Sequence, residues 1–224
     1  MSTVTSEKAP EKKCAFFFIG NHPALDLANT LVATKEGPLD LLSDFSSLCT
    51  WMAEAKLMGA NEATSIAKKW TLDRGEQFLT QVKSYRSRIK GLVAELRSTE
   101  QVPASFIEET NRLMRSANAV LQIKPLRTKA YARSWPLDWE KPDSVLGLIA
   151  ETGLQLACDC DLSLVRKCEN PQCVLTFYDT TKNHQRRWCI MEVCGNRHKA
   201  TLHRRKVQAI SALKPHKKGV KSSG

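Results

Sequence analysis

Two cysteine pairs with identical spacing lie close together near the end of the chain. Cys168 and Cys173 form one C-x4-C pair, Cys189 and Cys194 form the other, and 15 residues separate the two pairs. Structural zinc sites are tetrahedral and take thiolates, and two short loops joined by a hairpin bring four sulfurs together without a large core. The spacing therefore predicts a Zn²⁺ site made by these four cysteines. Four thiolates leave no open coordination position, so the metal would be structural and not catalytic.

The other cysteines and a nearby histidine are secondary candidates. His184 lies at the predicted hairpin tip, where it could replace one sulfur. Cys158 and Cys160 form a C-x-C that is more typical of ordinary thiols at a helix end, and Cys14 and Cys49 are predicted core residues. The plainest alternative for the four clustered cysteines is a set of unpaired core thiols, which the repeated spacing disfavours.

The chain shows no membrane or secretion signal. Its longest early apolar run, "CAFFFIG", is much shorter than the roughly 20 residues of a membrane helix. It follows a mixed-charge segment and precedes no small-residue cleavage site. We therefore expect a cytoplasmic protein with no membrane partner. In a reducing compartment, clustered cysteine pairs are more often metal ligands than disulfides, which agrees with the zinc prediction.

The positive charge is confined to the cysteine-rich end. From Ser163 to Gly224 there are 14 Lys or Arg and 3 Asp or Glu, whereas residues 1–162 hold 20 of each kind. The whole formal net charge of +11 therefore belongs to the last quarter of the chain. A basic module on a neutral body predicts a polyanion partner for the module and a separate task for the body.

Apolar periodicity predicts a mainly α (α+β) fold with a helical N-terminal domain and a few short strands. We place this domain at residues 14–161, a cysteine module at residues 162–213, and flexible tails at 1–13 and 214–224. "FFFIG" is predicted as a short buried strand before a helix that Pro23 opens. In the module, "LSLVRKC" is predicted as an entering strand, "VLTFYD" and "QRRW" as a hairpin, and a helix begins near Gly195.

The helix after Cys194 has a basic-polar side and an apolar side. At 100° per residue, one stripe holds Arg197, Thr201, Arg204 and Gln208. The opposite stripe holds Leu202, Ala209, Ile210 and Leu213, which we expect to pack on the module. Lys and Arg contacts to phosphates give sequence-independent affinity, and Arg or Gln at base edges adds specificity. The predicted nucleic-acid contacts are Arg186, Arg187, Arg197, Lys199, Arg204, Arg205 and Lys206.

Three small polar residues share one face of the first helix. Asp26, Asn29 and Thr30 are spaced i, i+3 and i+4 among apolar neighbours. They fit a solvent face with local capping bonds, an inter-helix hydrogen-bond cluster, or a ligand-binding pocket. The chain has no recognisable Ser-His-Asp arrangement, phosphate-binding Gly-rich loop or HExxH motif, so an enzyme is not predicted.

The cysteine module resembles the CGNR zinc finger, whose tetrad stands here as Cys194-Gly195-Asn196-Arg197. The resemblance includes the four cysteines, the approach "FYDTTKNHQRRWC" and the basic segment "RHKATLHRRK". The front of the chain, "GNHPALDLANT", is similar to the ABATE domain that precedes this finger. The resemblance implies a bacterial stress-induced transcription regulator, in which the finger binds DNA and the front domain senses a small-molecule effector.

Two alternatives belong to other functional classes. The basic module would also suit an RNA- or ribosome-associated protein, and a zinc-stabilised adaptor would need no nucleic acid. A single short finger contacts few bases, and a homodimer would match symmetric half-sites.

Overall fold

The computed structural model describes residues 16–118, 122–127, 130–134 and 136–212, without the side chains of residues 133 and 209–212. The predicted tails therefore lie outside the described residues, as do Cys14, Leu213 and the side chains of Ala209 and Ile210. Seven α-helices lie within the described ranges. They are α1 (Pro23–Ala28), α2 (Phe45–Glu54), α3 (Ala60–Lys69), α4 (Leu72–Leu96), α5 (Ala104–Ser116), α6 (Pro142–Asp159) and α7 (Asn196–Ala212).

Local sequence signals account for several helix starts. Proline occupies the first position of α1 and α6, where its missing N–H is not needed. Asp44 accepts a hydrogen bond from the Ser47 amide and forms a capping box at the start of α2. Thr71 accepts from the Arg74 amide at the start of α4.

The long helix α4 lies at the centre of the helical body. Its apolar side chains recur every three or four residues and are buried against α1, α2, α5 and α6. Tyr85 is fully buried, and its hydroxyl donates to the carbonyl oxygen of Ala150. Cys49 is buried in the same core, as predicted. Helices α1 to α6 therefore form one apolar core that supports the cysteine module.

The strands form three separate antiparallel pairs. In the body, β1 (Leu31–Ala33) pairs with β2 (Pro38–Asp40), and β3 (Gln122–Pro125) pairs with β4 (Tyr131–Ser134). The apolar spacing from Pro103 predicts a helix that continues almost to Pro125, which is wrong, because α5 ends at Ser116 and Gln122–Pro125 form β3. The segment "LRTKAYARSWPLDWEKP" is predicted to hold short strands or turns, and it contains β4, although Trp135 lies outside the described residues. In the module, β5 (Val165–Lys167) pairs with β6 (Thr176–Tyr178), with Arg166 opposite Phe177. A mainly α fold with a few short strands and a cysteine hairpin module is thus confirmed.

Two strand predictions are wrong. "FFFIG" forms no strand in the described part of the chain, and Phe17 and Phe18 are partly exposed. "QRRW" does not pair with β6, because the partner of β6 is β5. The hairpin therefore encloses the first cysteine pair. The backbone amide of Arg186 donates to the buried carboxylate of Asp179 and not to a strand.

The apolar side of α7 does not pack on the module at the residues described. Leu202 and Val207 are 52% and 48% exposed. The small core of the module ends at Trp188, whose ring packs at a tilt against His198 in the first turn of α7. The prediction that Leu202 packs against the module is therefore wrong, since α7 extends beyond the surface that could cover it. No described helix combines the length and apolarity needed to cross a membrane.

Candidate functional site

The four predicted ligand cysteines meet at one point in the module. Their Sγ atoms all lie within 4.8 Å of one another. Cys189 Sγ is 3.7 Å from Cys173 Sγ and 3.5 Å from Cys194 Sγ. A tetrahedral site with metal–sulfur bonds of about 2.3 Å has sulfur–sulfur edges of about 3.8 Å. The donor set and its spacing therefore fit a four-coordinate metal ion, and zinc is consistent with them.

Separate parts of the module supply the ligands. Cys168 and Cys173 lie in the loop between β5 and β6, where the Cys173 amide donates to the Asn170 carbonyl. Cys189 lies at a bend just before Ile190, and Cys194 lies in a π-helical turn, Met191–Gly195, that leads directly into α7. A metal ion here would hold the hairpin and the start of α7 together. His184 is not in the cluster; its Nδ1 lies 3.2 Å from the Asp179 carbonyl oxygen.

The thiols influence one another's ionisation. Hydrogen bonding with Cys189 lowers the pKa of Cys173 to about 5, and the amide of Leu175 acts in the same direction. The same contact raises the pKa of Cys189, and burial raises the pKa of Cys168. The cluster cannot hold four thiolates without a cation, so metal binding must release protons from it.

Gly195 allows the tetrad to pack tightly. A Cβ atom at this position would lie 2.4 Å from Met191 Sδ and 3.1 Å from Trp188 Cδ1. Trp188 is half-buried, in agreement with a packing role. The glycine of the tetrad therefore lets the π-helical turn lie directly against Trp188.

Arg186 is turned towards the protein. Its Nη2 donates to the carbonyl oxygens of Ile19 and Cys189, and its Nε donates to that of Trp188. The guanidinium lies 4.0 Å from the centre of the Phe177 ring. Arg186 thus fastens the second cysteine pair to the hairpin and the body. Its guanidinium is therefore not part of the basic surface along α7.

Arg187 has a different environment. It is exposed, and its guanidinium forms an ion pair with Glu169 at 2.6 Å. Because the Glu169 carboxylate lies beside the Arg187 guanidinium, it offsets much of the attraction of Arg187 for an anion. An exposed ion pair of this kind nevertheless contributes little to stability. Arg187 is therefore a weaker candidate than an unpaired arginine.

The polar residues of α1 connect the body to the module. Asn29 is buried; its Nδ2 donates to the Thr176 carbonyl and its Oδ1 accepts from the Thr176 amide, both at 2.9 Å. The Tyr178 amide donates to the Gly20 carbonyl at 2.8 Å, and Asn21 Nδ2 donates to the Tyr178 carbonyl at 3.0 Å. The "GNHPALDLANT" segment therefore binds along β6.

The side chains of Asp26 and Thr30 also form hydrogen bonds within the protein. Asp26 Oδ1 accepts from the Gly20 amide at 2.7 Å. Thr30 Oγ1 donates to the Leu27 carbonyl and accepts from Arg86, which also forms a two-pronged pair with Asp40. Of the three interpretations, these contacts support the hydrogen-bond cluster. Ligand binding by Asp26, Asn29 and Thr30 stays a prediction.

The remaining basic candidates lie along α7. Arg197, Lys199, Arg204, Arg205 and Lys206 are all exposed. The helix contains no Asp or Glu. Within the part of the chain that the structure describes, no carboxylate forms an ion pair with any of the five. The start of α7 thus places a metal site and an unpaired basic surface side by side.

Sequence analysis missed Asp179 and Arg166. Asp179 is fully buried and accepts from Thr181 and from the Arg186 amide, while Arg166 Nε lies 3.6 Å from its Oδ2. Asp179 stands in the recognised "FYDTTKNHQRRWC" segment. A buried aspartate followed by threonines, which form local side-chain bonds, was the available signal.

The protein has two parts. One is a helical body, and the other is a module with a four-cysteine cluster, suited to a structural metal ion, and a basic helix. Comparison with known families agrees: residues 21–159 match the ABATE family, described as "Putative stress-induced transcription regulator", and residues 165–207 match the CGNR zinc finger. The chain belongs to this ABATE family, with the finger following the domain as the resemblance implies. Neither description is that of an enzyme class. No curated protein matches the chain significantly.

We expect the Asp26→Asn variant to gain stability relative to wild type as the pH rises. Burial raises the pKa of Asp26 from 3.8 to about 6, so the folded state binds an extra proton between these values. The stability contributed by this group is therefore present at low pH and lost as the pH rises through about 6. Asparagine keeps an acceptor for the Gly20 amide without the charge.

Urea unfolding of wild type and variant at about pH 4.5 and about pH 7.5 measures the effect, as the difference between the two proteins. Asp159→Asn, at an exposed carboxylate in the last turn of α6, is the control and should show no such trend. A stability difference for Asp26→Asn that is the same at both pH values would contradict the expectation.

Proposed function

We propose that this protein is a DNA-binding transcription regulator whose four-cysteine site holds Zn²⁺ and whose α7 contacts the DNA. One observation carries the proposal: an exposed basic helix, free of acidic residues, begins two residues after the last ligand cysteine. The metal would fix the direction of the first turn of α7, so the helix is presented from a rigid base. The family description supports a regulatory role.

The dimensions of α7 suit a duplex groove. Its 17 residues extend about 25 Å at 1.5 Å per residue. The major groove of DNA is about 12 Å wide and admits an α-helix. Leu202 and Val207 are about half exposed, so the apolar side of α7 is accessible at these two positions as well as the basic side. Such a projecting helix supports groove entry more than lateral contact with phosphates alone.

We propose that the body senses a small-molecule effector linked to stress, that two copies bind symmetric half-sites, and that the protein acts in the bacterial cytoplasm. The charge distribution supports the division of labour, since the neutral body would not compete for DNA. The hydrogen bonds between α1 and β6 offer a direct route from body to module.

A random-duplex selection tests this function. Zinc-loaded full-length protein at about 150 mM salt, a physiological ionic strength, is incubated with a duplex library, and the retained molecules are sequenced. Enrichment of a defined motif supports a sequence-specific regulator and supplies its operator. Retention without a motif, with equal binding to structured RNA, would favour the RNA-associated alternative, and no binding to either would favour an adaptor.

Removing two arginines from α7 should weaken DNA binding and reduce its salt dependence. We expect Arg204→Ala with Arg205→Ala to lower the slope of log affinity against log salt by up to about two phosphate contacts. Titrations of labelled duplex at several salt concentrations give the slope. Lys68→Ala with Arg88→Ala is the matched control, since it removes the same charge from exposed positions of α3 and α4. Equal slopes for the α7 variant and wild type would exclude the two arginines from the interface.

A further inference from the structure

An apolar cavity of about 440 Å³ lies between the body and the metal module. The body supplies Phe17 together with Val32, Leu39 and Leu41 of the β1–β2 hairpin and its following turn. The module supplies Leu175 and Val193. Pockets for small organic ligands have volumes of about 300–1,000 Å³ and are mostly apolar with a few polar groups. The cavity therefore has the size and lining of a ligand site.

One cation stands at the edge of this cavity. Arg197 lines it and also lines a neighbouring groove of about 540 Å³, which Lys35, Arg204 and Arg205 border as well. No carboxylate in the described ranges pairs with the Arg197 guanidinium. An unpaired guanidinium beside an apolar space favours a ligand with an apolar body and one anionic head group.

The cysteines in the lining also influence the direction of such a ligand. Cys173, Cys189 and Cys194 contribute to the lining, and four thiolates around a divalent metal are net negative. An anionic head group would be repelled there and attracted towards Arg197, where the cationic groove begins. The apolar body would then lie against the β1–β2 hairpin.

We propose that this cavity binds a small amphipathic organic anion, whose head group competes with DNA phosphate for Arg197. The ligand would contact the body and the module at once, beside the first turn of α7. The competition rests on the proposed DNA-binding function, whereas the binding site does not. This site differs from the predicted one at Asp26, Asn29 and Thr30, whose polar atoms bond within the protein.

Titration of the zinc-loaded full-length protein with octanoate tests the site without DNA. Octanoate, 1-octanol and octylammonium share one chain length and differ in head-group charge. We expect saturable octanoate binding by calorimetry, at least tenfold tighter than that of octanol and weakest for octylammonium. Arg197→Gln should remove the preference for octanoate over octanol. No saturable octanoate binding, or the same preference in Arg197→Gln, would overturn the site.

Two variants locate the binding. Leu39→Asp places a negative charge on the partly exposed edge of the cavity, and Ala33→Trp fills the cavity without removing a contact. Both should weaken octanoate binding at least tenfold while thermal unfolding and zinc content stay close to wild type. Leu72→Asp, at a highly exposed position on α4, is the control and should bind octanoate normally. Unchanged affinity in both cavity variants would place the ligand elsewhere and overturn the proposal.

The duplex found by selection then tests the competition. Octanoate at a concentration that just saturates wild type should lower the affinity of wild type for DNA and have a much smaller effect on that of Ala33→Trp. Octanoate binding with unaltered DNA affinity would overturn the competition while the site stands. If the protein binds no duplex at all, the DNA-binding function fails, and the octanoate titration still decides whether the cavity is a ligand site.

Discussion

Cys189→Ser is expected to release the metal and unfold residues 165–207 while helices α1 to α6 persist. Cys189 Sγ has two of the other sulfurs within 3.7 Å, so its loss disrupts the centre of the cluster. Structural zinc binding supplies about 10–16 kcal/mol in small zinc modules. The fully buried core of this module holds few side chains besides its cysteines, too few to replace that contribution. Cys173→Ser should behave in the same way.

Elemental analysis measures the release of the metal, and far-ultraviolet circular dichroism measures the loss of helix. Zinc should fall from one equivalent to a small fraction, and only the helical signal of α7 should be lost. Cys158→Ser is the matched control, because that thiol is exposed and outside the cluster. Full metal retention in both cluster variants would contradict the assignment of the ligands. Loss of the whole helical signal would show that the body depends on the module.

The same cluster makes metal affinity sensitive to acid. Thiols must lose protons to bind the metal, so lowering the pH should release it cooperatively. A chelator competition at falling pH should therefore show a steep loss of bound zinc in wild type.

Asn29→Ala is expected to destabilise the protein by about 2–4 kcal/mol, because the amide and carbonyl of Thr176 would lose their partners. Thr176 is buried, and both bonds from Asn29 measure 2.9 Å. Unpaired backbone groups in a buried position cost more than the lost bonds contribute. The module should also separate more readily from α1.

Denaturant unfolding gives the first effect, and hydrogen exchange at the Thr176 amide gives the second. Asn61→Ala is the control: it removes the same side chain from an exposed position on α3 and should change stability little. Faster exchange at Thr176 should accompany the loss of stability. A change below about 0.5 kcal/mol, within the range of ordinary surface substitutions, would mean that β6 is held by other contacts.

The repeated cysteine spacing made the metal cluster predictable, because four thiols in two short loops have few other ways to be satisfied. The existence of the helices was predictable for a similar reason, because apolar periodicity and start signals such as Pro23 are local properties of the chain. The hairpin was not assigned correctly. The segments "QRRW" and "LSLVRKC" both have the composition of a strand, so either could pair with β6. Local propensity cannot decide which of the two segments is the partner.

The roles of individual polar residues depended on distant contacts. Arg186 and Arg204 are the same residue type in the same basic module, yet one is bonded to Ile19 and Cys189 and the other is exposed. Likewise, Asn29 on its helix matched a solvent face, a polar cluster and a ligand pocket equally well. Its partner, Thr176, lies 147 residues further along the chain.

By itself, therefore, the sequence determined the class of the fold, the four-cysteine cluster and the basic character of the last helix, since these depend on residue type and short spacing. The tertiary structure decided that β5 pairs with β6, that Arg186 and Asn29 join the module to the body, and that an apolar cavity opens beside Arg197. Each of these features requires segments far apart in the chain to meet, and the free energy that brings them together comes from burial of the whole core.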